Sequence, residues 1–458
     1  MQYDVIVVGS GQAGVPLAAR YAGEGRRTAL IERAEPGGTC VNRGCTPTKT
    51  MVASARAAHV ARTAGRLGVR TGDVQVDLAA IVDRKNAIVE QWRNSIVKRV
   101  DRAGDRLDFV HGHARFVGPG EIMVSGDRLS APVIILNVGA RPSSPDVPGL
   151  EDVVWLDSTS IMDLREVPEH LIILGGGYVG CEFAQMFRRF GARVSIANRG
   201  AHLLEREDED VSESIEEVFR AEGIDIHTNA EATSVRKTTT GVRLTLRDGT
   251  DLDGSHLLVA VGRSPNTGEL GCDAAGIALD GRGFIRVDER YRTTAPGVFA
   301  VGDVTGGPQF THTAWDDHRI LYNLLERANG TTRTAKDRLV PWAVFTDPQV
   351  ARVGLSEREA KEKDIRYEIA TMRFGSIARA IEIDETAGIL KILIDPESER
   401  ILGAAIVGIE AGELIHVFVA LMQAGATGRA VIDAEAVHPT LAEGLQSLVM
   451  KLDRYSGQ

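Results

Sequence analysis

The sequence predicts an α/β fold carrying two copies of one strand–turn–helix unit, and three observations point there. Val5-Ile6-Val7-Val8 leads into Gly9-Ser10-Gly11-Gln12-Ala13-Gly14. The same pattern returns 166 positions later, where Leu171-Ile172-Ile173-Leu174 leads into Gly175-Gly176-Gly177-Tyr178-Val179-Gly180. Each copy continues into a helical pattern, Leu17–Tyr21 in the first and Glu182–Phe190 in the second. The first glycine of Gly-x-Gly-x-x-Gly permits a tight turn, the second lets backbone approach a pyrophosphate, and the third lets helix pack on strand. Phosphates then sit on the helix N-terminus. One such match is weak, but two in the same setting imply two dinucleotide sites, hence two Rossmann-like domains. With 458 residues the chain has room for about three domains.

The residues downstream of each turn separate the two sites. Twenty-three residues after Gly9, Glu32 closes the strand Thr28–Ile31, where a carboxylate bonds ribose hydroxyls. Twenty-three residues after Gly175 stands Asn198, closing Val194–Ala197, with Arg199 next. The second site lacks the ribose acid and offers a guanidinium suited to a 2′-phosphate. NADPH is therefore expected over NADH, with NADH possible. Because Arg33 also comes directly after Glu32, the missing acid carries more weight than Arg199, and a surface arginine with relaxed cofactor choice stays open.

Between these units lies Gly37-Gly38-Thr39-Cys40-Val41-Asn42-Arg43-Gly44-Cys45-Thr46-Pro47-Thr48-Lys49, a glycine-rich loop holding two of the four cysteines. Pro47 suits the first turn of a helix, so Cys45 falls at a helix N-terminus that favours a thiolate. A stabilised thiolate beside a second thiol reads as a redox pair, against a structural disulfide or two buried thiols. From Met1 the chain runs directly into its first strand, so no leader is expected, and no apolar run is long enough to span a membrane. In a reducing cytoplasm such a pair is more often catalytic than structural. Cys181 and Cys272 read as isolated core or surface residues. The net charge of −10 argues against nucleic acid or an anionic membrane as partner. The acidic run Glu205–Asp210 reads as a solvated loop and helix start.

The cysteine loop, both glycine motifs, Gly302-Asp303-Val304 and His438-Pro439-Thr440 together resemble the FAD-dependent pyridine nucleotide–disulfide oxidoreductases, over nearly the whole chain and in the family's order. The resemblance implies FAD and NAD(P)H domains plus an α+β dimerisation domain: residues 1–145 and 263–336 for FAD, 146–262 for NAD(P)H, and 337–458 for dimerisation. The proline-rich joint Arg141–Gly149 and the stretch Val261–Asn266 mark the crossings, and polar Asn329–Asp337 leads into the last domain. Val76–Arg102 has helical periodicity and is expected to pack outside the FAD site.

By the same resemblance, Gly9, Gly11, Gly14, Glu32, Thr39, Lys49 and Asp303 bind FAD, Asp303 anchoring its ribityl chain. A turn aspartate is the plainer reading of Asp303. The stretch Phe310–His312 opens a helix whose N-terminus faces reduced flavin. Gly175, Gly177, Gly180, Tyr178, Asn198, Arg199 and Gly262 are assigned to cofactor binding, Tyr178 as an aromatic gate over the nicotinamide pocket or else a packed core aromatic. Lys49 and Glu182 resemble an ion pair beside the flavin ring, although Glu182 also suits its own helix dipole. Cys45 becomes the thiolate nearer the flavin and Cys40 the exposed interchange thiol that attacks substrate. His438, with Glu443 five residues on, resembles the His–Glu pair that handles the proton from a second subunit. A cis His438–Pro439 bond and a homodimer are further implications of the resemblance. No resident metal is expected; a metal patch of His312, Asp316, Asp317 and His318 ranks behind a solvated helix start.

The acceptor is a small disulfide or a metal ion. The cysteine loop, Phe310–Arg319 and Gly403–Gly408 look closest to the mercuric-reductase-like branch, which includes reductases linked to copper(II) and reactive-chlorine stress. Mercuric reductases proper carry a C-terminal cysteine pair, whereas no cysteine comes after Cys272 here, and they lack the His–Glu pair. Dihydrolipoamide dehydrogenases usually take NAD, against Asn198. A subunit of a multienzyme complex, a redox sensor and a disulfide-independent quinone reductase are the remaining alternatives.

Overall fold

The computed structural model describes residues 1–326 and 333–455, so part of the polar Asn329–Asp337 joint lies outside them. The helices that position the site are α1 (Gly14–Gly23), α2 (Gly38–Arg43), α3 (Cys45–Thr63), α4 (Leu78–Arg102), α5 (Tyr178–Phe190), α6 (Glu209–Ala221), α7 (Cys272–Ala275) and α8 (Thr311–Glu326). The chain divides into two compact units, one of residues 1–50, 82–143 and 262–338, the other of 51–81, 144–261 and 339–458.

The first unit is built on a five-stranded parallel sheet. Its order is Val298–Ala300, Val133–Leu136, Val5–Val8, Thr28–Glu32, Leu107–His111, with Val5 opposite Thr28 and Val133. Every residue of Val5–Val8 is buried. Alternate side chains feed two cores. Ile6 and Val8 join Ile31, Ile134 and Leu136 on one face, while Val5 and Val7 meet Leu17, Ala18 and Tyr21 of α1 on the other. Burial on both faces explains the unbroken apolar run, as a parallel sheet requires. Arg263–Pro265 pairs antiparallel with Ala140–Pro142 in a short ribbon where the chain re-enters this unit.

The second unit repeats the motif in a four-stranded parallel sheet of order Asp225–His227, Arg193–Ala197, His170–Leu174, His256–Val259. It also holds a five-stranded antiparallel sheet, Trp342–Val344, Gln349–Gly354, Ile401–Gly408, Ile389–Ile394, Glu368–Arg373. Leu390, Ile392, Ala404 and Ile406 of that sheet pack with Ile415 and Phe418 in a separate core.

The two glycine turns are built alike. Gly9 and Gly175 have φ of +100° and +111°, which favours glycine. A Cβ on Gly14 would stand 1.9 Å from the Gly9 carbonyl, and one on Gly180 would stand 2.0 Å from that of Gly175, so the third glycine lets helix and turn touch. At Gly177 a Cβ would meet nothing within 4 Å, leaving the backbone open to a ligand.

Candidate active site

The cysteine segment is not a loop. Cys40 lies within α2, Gly44 breaks the helix, and Cys45 begins α3. A side chain on Gly44 would strike the Thr39 carbonyl at 2.9 Å and the Cys40 Cα at 3.3 Å, so only glycine lets the two helices fold closely enough to bring the thiols together. No disulfide joins the two. The hydrogen bond to Cys45 pushes the Cys40 thiol far up, and burial adds to this. Of the pair, Cys40 is thus the thiol that holds its proton more firmly. The Cys45 sulfur lies 3.0 Å from the Thr311 hydroxyl, at the first residue of α8. In the chain by itself Cys45 is exposed and Cys40 half-buried. Lys49 comes one helical turn after Cys45 on the same face. Thr39 is exposed beside Cys40.

Glu32 is fully engaged by backbone and hydroxyl. Oε2 accepts from the Ser10 N–H at 2.9 Å and its hydroxyl at 2.6 Å, and Oε1 accepts from the Ala34 N–H at 3.0 Å. Gly11 is backed by the Asn137 amide, whose Oδ1 also accepts from the Gly14 N–H at 3.0 Å. Asp303 keeps 23% of its side chain exposed, with Arg263 Nε 3.8 Å away. Crowding by protein raises the Asp303 carboxyl, with Arg263 pulling against it, and the buried Arg263 Nε makes no hydrogen bond. A ligand carrying hydroxyls suits this open acceptor and unspent donor.

Behind Asp303, Asp317 takes the Tyr291 hydroxyl at 2.7 Å, the Gly302 N–H at 2.7 Å and the Arg338 guanidinium. Asp316 takes Arg333 through both oxygens at 2.9 and 2.8 Å. At the start of α8 His312 and Trp315 are exposed, while the two acids are spent on arginines, Asp317 bracing the turn that carries Asp303. Among the described residues no cluster of three or more His, Cys, Asp or Glu is arranged to hold a metal.

In the second unit Asn198 Oδ1 accepts from the Gly176 N–H at 3.0 Å, and Nδ2 donates to the Gly200 and His202 carbonyls. The amide braces the turn where a ribose-binding acid stands in the first unit, and Arg199 beside it is exposed. Gly262 has φ +133° at the edge of the first unit. Glu182, buried on α5, accepts from the Phe345 N–H at 2.8 Å; it and Lys49 belong to different units. Tyr178 donates to Glu207 at 2.9 Å and stacks on Trp342 at 5.1 Å between centroids. The acidic run holding Glu207 is solvated at Glu205 and Glu209 but not at its middle. Glu207 and Asp208 are buried, because Arg352 and Lys391 reach in to neutralise them.

His438 is 67% exposed, and its Nδ1 lies 2.9 and 3.1 Å from the two Glu443 oxygens. With Nδ1–H donating to the carboxylate, Nε2 is left outward as a proton acceptor. The His438–Pro439 peptide is cis, and the Thr440 hydroxyl ties the loop to the Val437 carbonyl at 2.8 Å.

Two dinucleotide turns, a pair of cysteines at a helix start and an outward His–Glu pair now stand together in one chain. Residues 3–317 match the pyridine nucleotide-disulphide oxidoreductase family, and residues 340–449 match that family's dimerisation domain. The chain belongs to this family. It is 34% identical over 458 residues to the probable pyridine nucleotide-disulfide oxidoreductase RclA of Escherichia coli, covering 98% of both. Mercuric reductase of Streptomyces lividans is 36% identical, with 97% of this chain and 95% of the relative covered. Dihydrolipoyl dehydrogenase of Thermus scotoductus is 33% identical, with 99% of this chain and 98% of the relative covered. The solved Cu(II) complex of the HOCl-induced flavoprotein disulfide reductase RclA from Escherichia coli superposes with a TM-score of 0.89 at 34% identity, covering 98% of this chain and 99% of that one. The protein is an FAD-dependent oxidoreductase that uses a pyridine nucleotide and a redox-active cysteine pair. No helix among the described residues is long and apolar enough to cross a membrane.

Proposed function

We propose that this enzyme is an NADPH-preferring reductase of a small disulfide, acting as a cytoplasmic homodimer. The observation that carries the reading is the Cys40–Cys45 dithiol, in which the hydrogen bond to Cys45 and burial raise the Cys40 thiol while the Cys45 sulfur, at the start of α3, lies 3.0 Å from the Thr311 hydroxyl. Glu32, Asp303 and Arg263 are the residues suited to hold FAD, and the turn Gly175–Gly180 with Asn198 and Arg199 to hold the nicotinamide dinucleotide. The flavin, when bound, supplies two-electron transfer between nicotinamide and disulfide. Everything else falls to the chain. Cys45, stabilised by the α3 N-terminus and the Thr311 hydroxyl, is the thiolate that stays beside the flavin, with Lys49 one turn along α3 adding positive charge. Cys40 is the thiol that attacks a disulfide acceptor. Because Cys40 holds its proton firmly, it needs a base, and His438 oriented by Glu443 fills that role from the second copy of the dimer.

A metal ion is the second acceptor reading, favoured by the similarity to a relative solved as a Cu(II) complex. The deciding assay is oxidation of NADPH and NADH by the purified dimer with oxidised glutathione, lipoamide, other small disulfides, Cu(II), Hg(II) and a quinone, beside a Cys45→Ser control. Rapid turnover with one disulfide, faster with NADPH and lost in the control, is the expected result. Turnover confined to a metal ion would sink the disulfide reading, and quinone turnover surviving in the control would sink the role of the cysteines.

A further inference from the structure

We propose that Glu207 and Trp342 are positioning residues that hold the Tyr178 ring to one side of the Gly175–Gly177 turn, so that the nicotinamide end of the dinucleotide finds its slot open. The proposal rests on the assignment of Tyr178 to the nicotinamide end of the second site. Tyr178 is the first residue of α5, directly after Gly177, where the backbone faces open space. From that place its ring can lie across the opening or away from it. Here both its ends are engaged: the hydroxyl donates to Glu207 Oε1 at 2.9 Å, and the face stacks on Trp342 at 5.1 Å with 20° between planes.

These partners are themselves locked. The Glu207 side chain is completely buried, so no water competes for its oxygens. Its Oε2 lies 3.0 Å from Arg352 Nε; neither atom has a hydrogen-bonded partner, so this contact is Coulombic rather than a directed bond. Arg352 also donates to Glu359 at 2.6 Å, and its guanidinium carbon lies 5.4 Å from the centre of the Trp342 ring. Tyr178, Glu207, Arg352 and Trp342 therefore close a ring of contacts, each holding the next. Nothing in the glycine motif requires it, and in the sequence Glu207 sits in a run of acids with no sign of its burial.

The titratable groups facing Glu207 are the Tyr178 hydroxyl from α5, Arg352 from Gln349–Gly354, Glu359 from Glu357–Glu362 and its neighbour Asp208. Burial outweighs the pull of Arg352 and raises its carboxyl to about 7. The charged acceptor, and so the hold on Tyr178, is complete above that pH and weakens below it.

The test uses the FAD-loaded dimer and two ligands that differ only in the nicotinamide, NADP⁺ and 2′-phospho-ADP-ribose, with NAD⁺ and ADP-ribose as a second pair. Glu207→Gln is expected to weaken NADP⁺ binding about fivefold, measured by calorimetry at pH 8, while leaving the fragment unchanged. Tyr178→Ala should make the Glu207→Gln change silent, as a shared ring of contacts demands. In the unsubstituted enzyme NADP⁺ affinity should fall between pH 8 and pH 6, a trend that Glu207→Gln abolishes. Equal weakening of both ligands would show that Glu207 merely supports the fold, and tighter NADP⁺ binding would show that the ring is held over the slot; either overturns the proposal. The underlying assignment has its own readout. Trp342 emission, taken as the difference from Trp342→Phe, should respond to NADP⁺ and not to the fragment. A response identical for both ligands would remove Tyr178 from the nicotinamide end whatever Glu207 does.

Discussion

At the scale of single residues, the division of labour between the two thiols comes down to one proton and one hydroxyl. Cys40 keeps the proton because Cys45 is its hydrogen-bond partner and because it is half-buried. Cys45 stands at the first turn of α3 with the Thr311 hydroxyl 3.0 Å away, and the thiolate proposed there would take a hydrogen bond from it. Removing that donor while keeping the shape isolates its effect. In a Cys40→Ser background, Thr311→Val should slow iodoacetamide alkylation of Cys45 at pH 7 by about three- to tenfold, and Thr311→Ser should restore it. An unchanged rate would remove Thr311 from the stabilisation of the thiolate. In the sequence Thr311 is one hydroxyl among several near the start of a helix. What gives it a role is a fold that returns to Cys45 after 266 residues, and no local pattern reports such a return.

At the scale of elements, α5 shows the same limit more broadly. Its residues Tyr178, Glu182, Gln185 and Arg189 form one stripe at helical spacing, and all four grip the segment from Trp342 to Asp347. Tyr178 stacks on Trp342, Glu182 accepts from Phe345, Gln185 exchanges two bonds with the Asp347 backbone at 2.7 and 2.6 Å, and Arg189 meets the Asp347 carboxylate at 2.5 Å. Asp347 also takes Arg56 of α3 at 2.5 Å, while Arg189 closes on Glu222 through 3.0 and 2.6 Å contacts. Burial alone would raise the Asp347 carboxyl, but Arg189 and Arg56 outweigh it and hold it below its usual 3.8. A depressed carboxylate adds stability that is present above pH 3.8 and is lost as pH falls through its folded value. Asp347→Asn should therefore cost about 2–3 kcal/mol at pH 7, less than for a lone buried pair because each arginine keeps another acid. Urea midpoints at pH 7 and pH 3 check this, since the gap between variant and parent should shrink at the lower pH. The glycine turns and their strands are legible because each is a contiguous pattern with a single physical reading. The stripe on α5 is not, because its polar residues make sense only against a segment about 160 positions away. The acidic run before α6 misleads for the same reason, Arg352 and Lys391 lying far along the chain.

At the scale of the whole molecule, the proposed chemistry is divided between copies of the chain. Cys40 holds its proton too tightly to attack unaided, yet the base proposed for it, His438, stands 67% exposed with Glu443 already orienting it. A histidine so prepared and so exposed fits a role completed by a second copy, and the family's dimerisation domain, residues 340–449, is the part that carries it. This arrangement makes a quantitative demand. Homodimers of Cys40→Ser have no attacking thiol, and homodimers of His438→Ala have no base, so each should be nearly inactive. When the two variants are unfolded together and refolded at equal amounts, about half of the dimers are mixed, and each mixed dimer has one site with both groups intact. Activity should return to about a quarter of that of the unsubstituted enzyme. If His438 instead served the cysteines of its own chain, no site in any mixed dimer would be whole and the mixture would stay as inactive as its parts. Native mass spectrometry of the same sample confirms that mixed dimers have formed, so silence in the assay counts against the shared site rather than against subunit exchange.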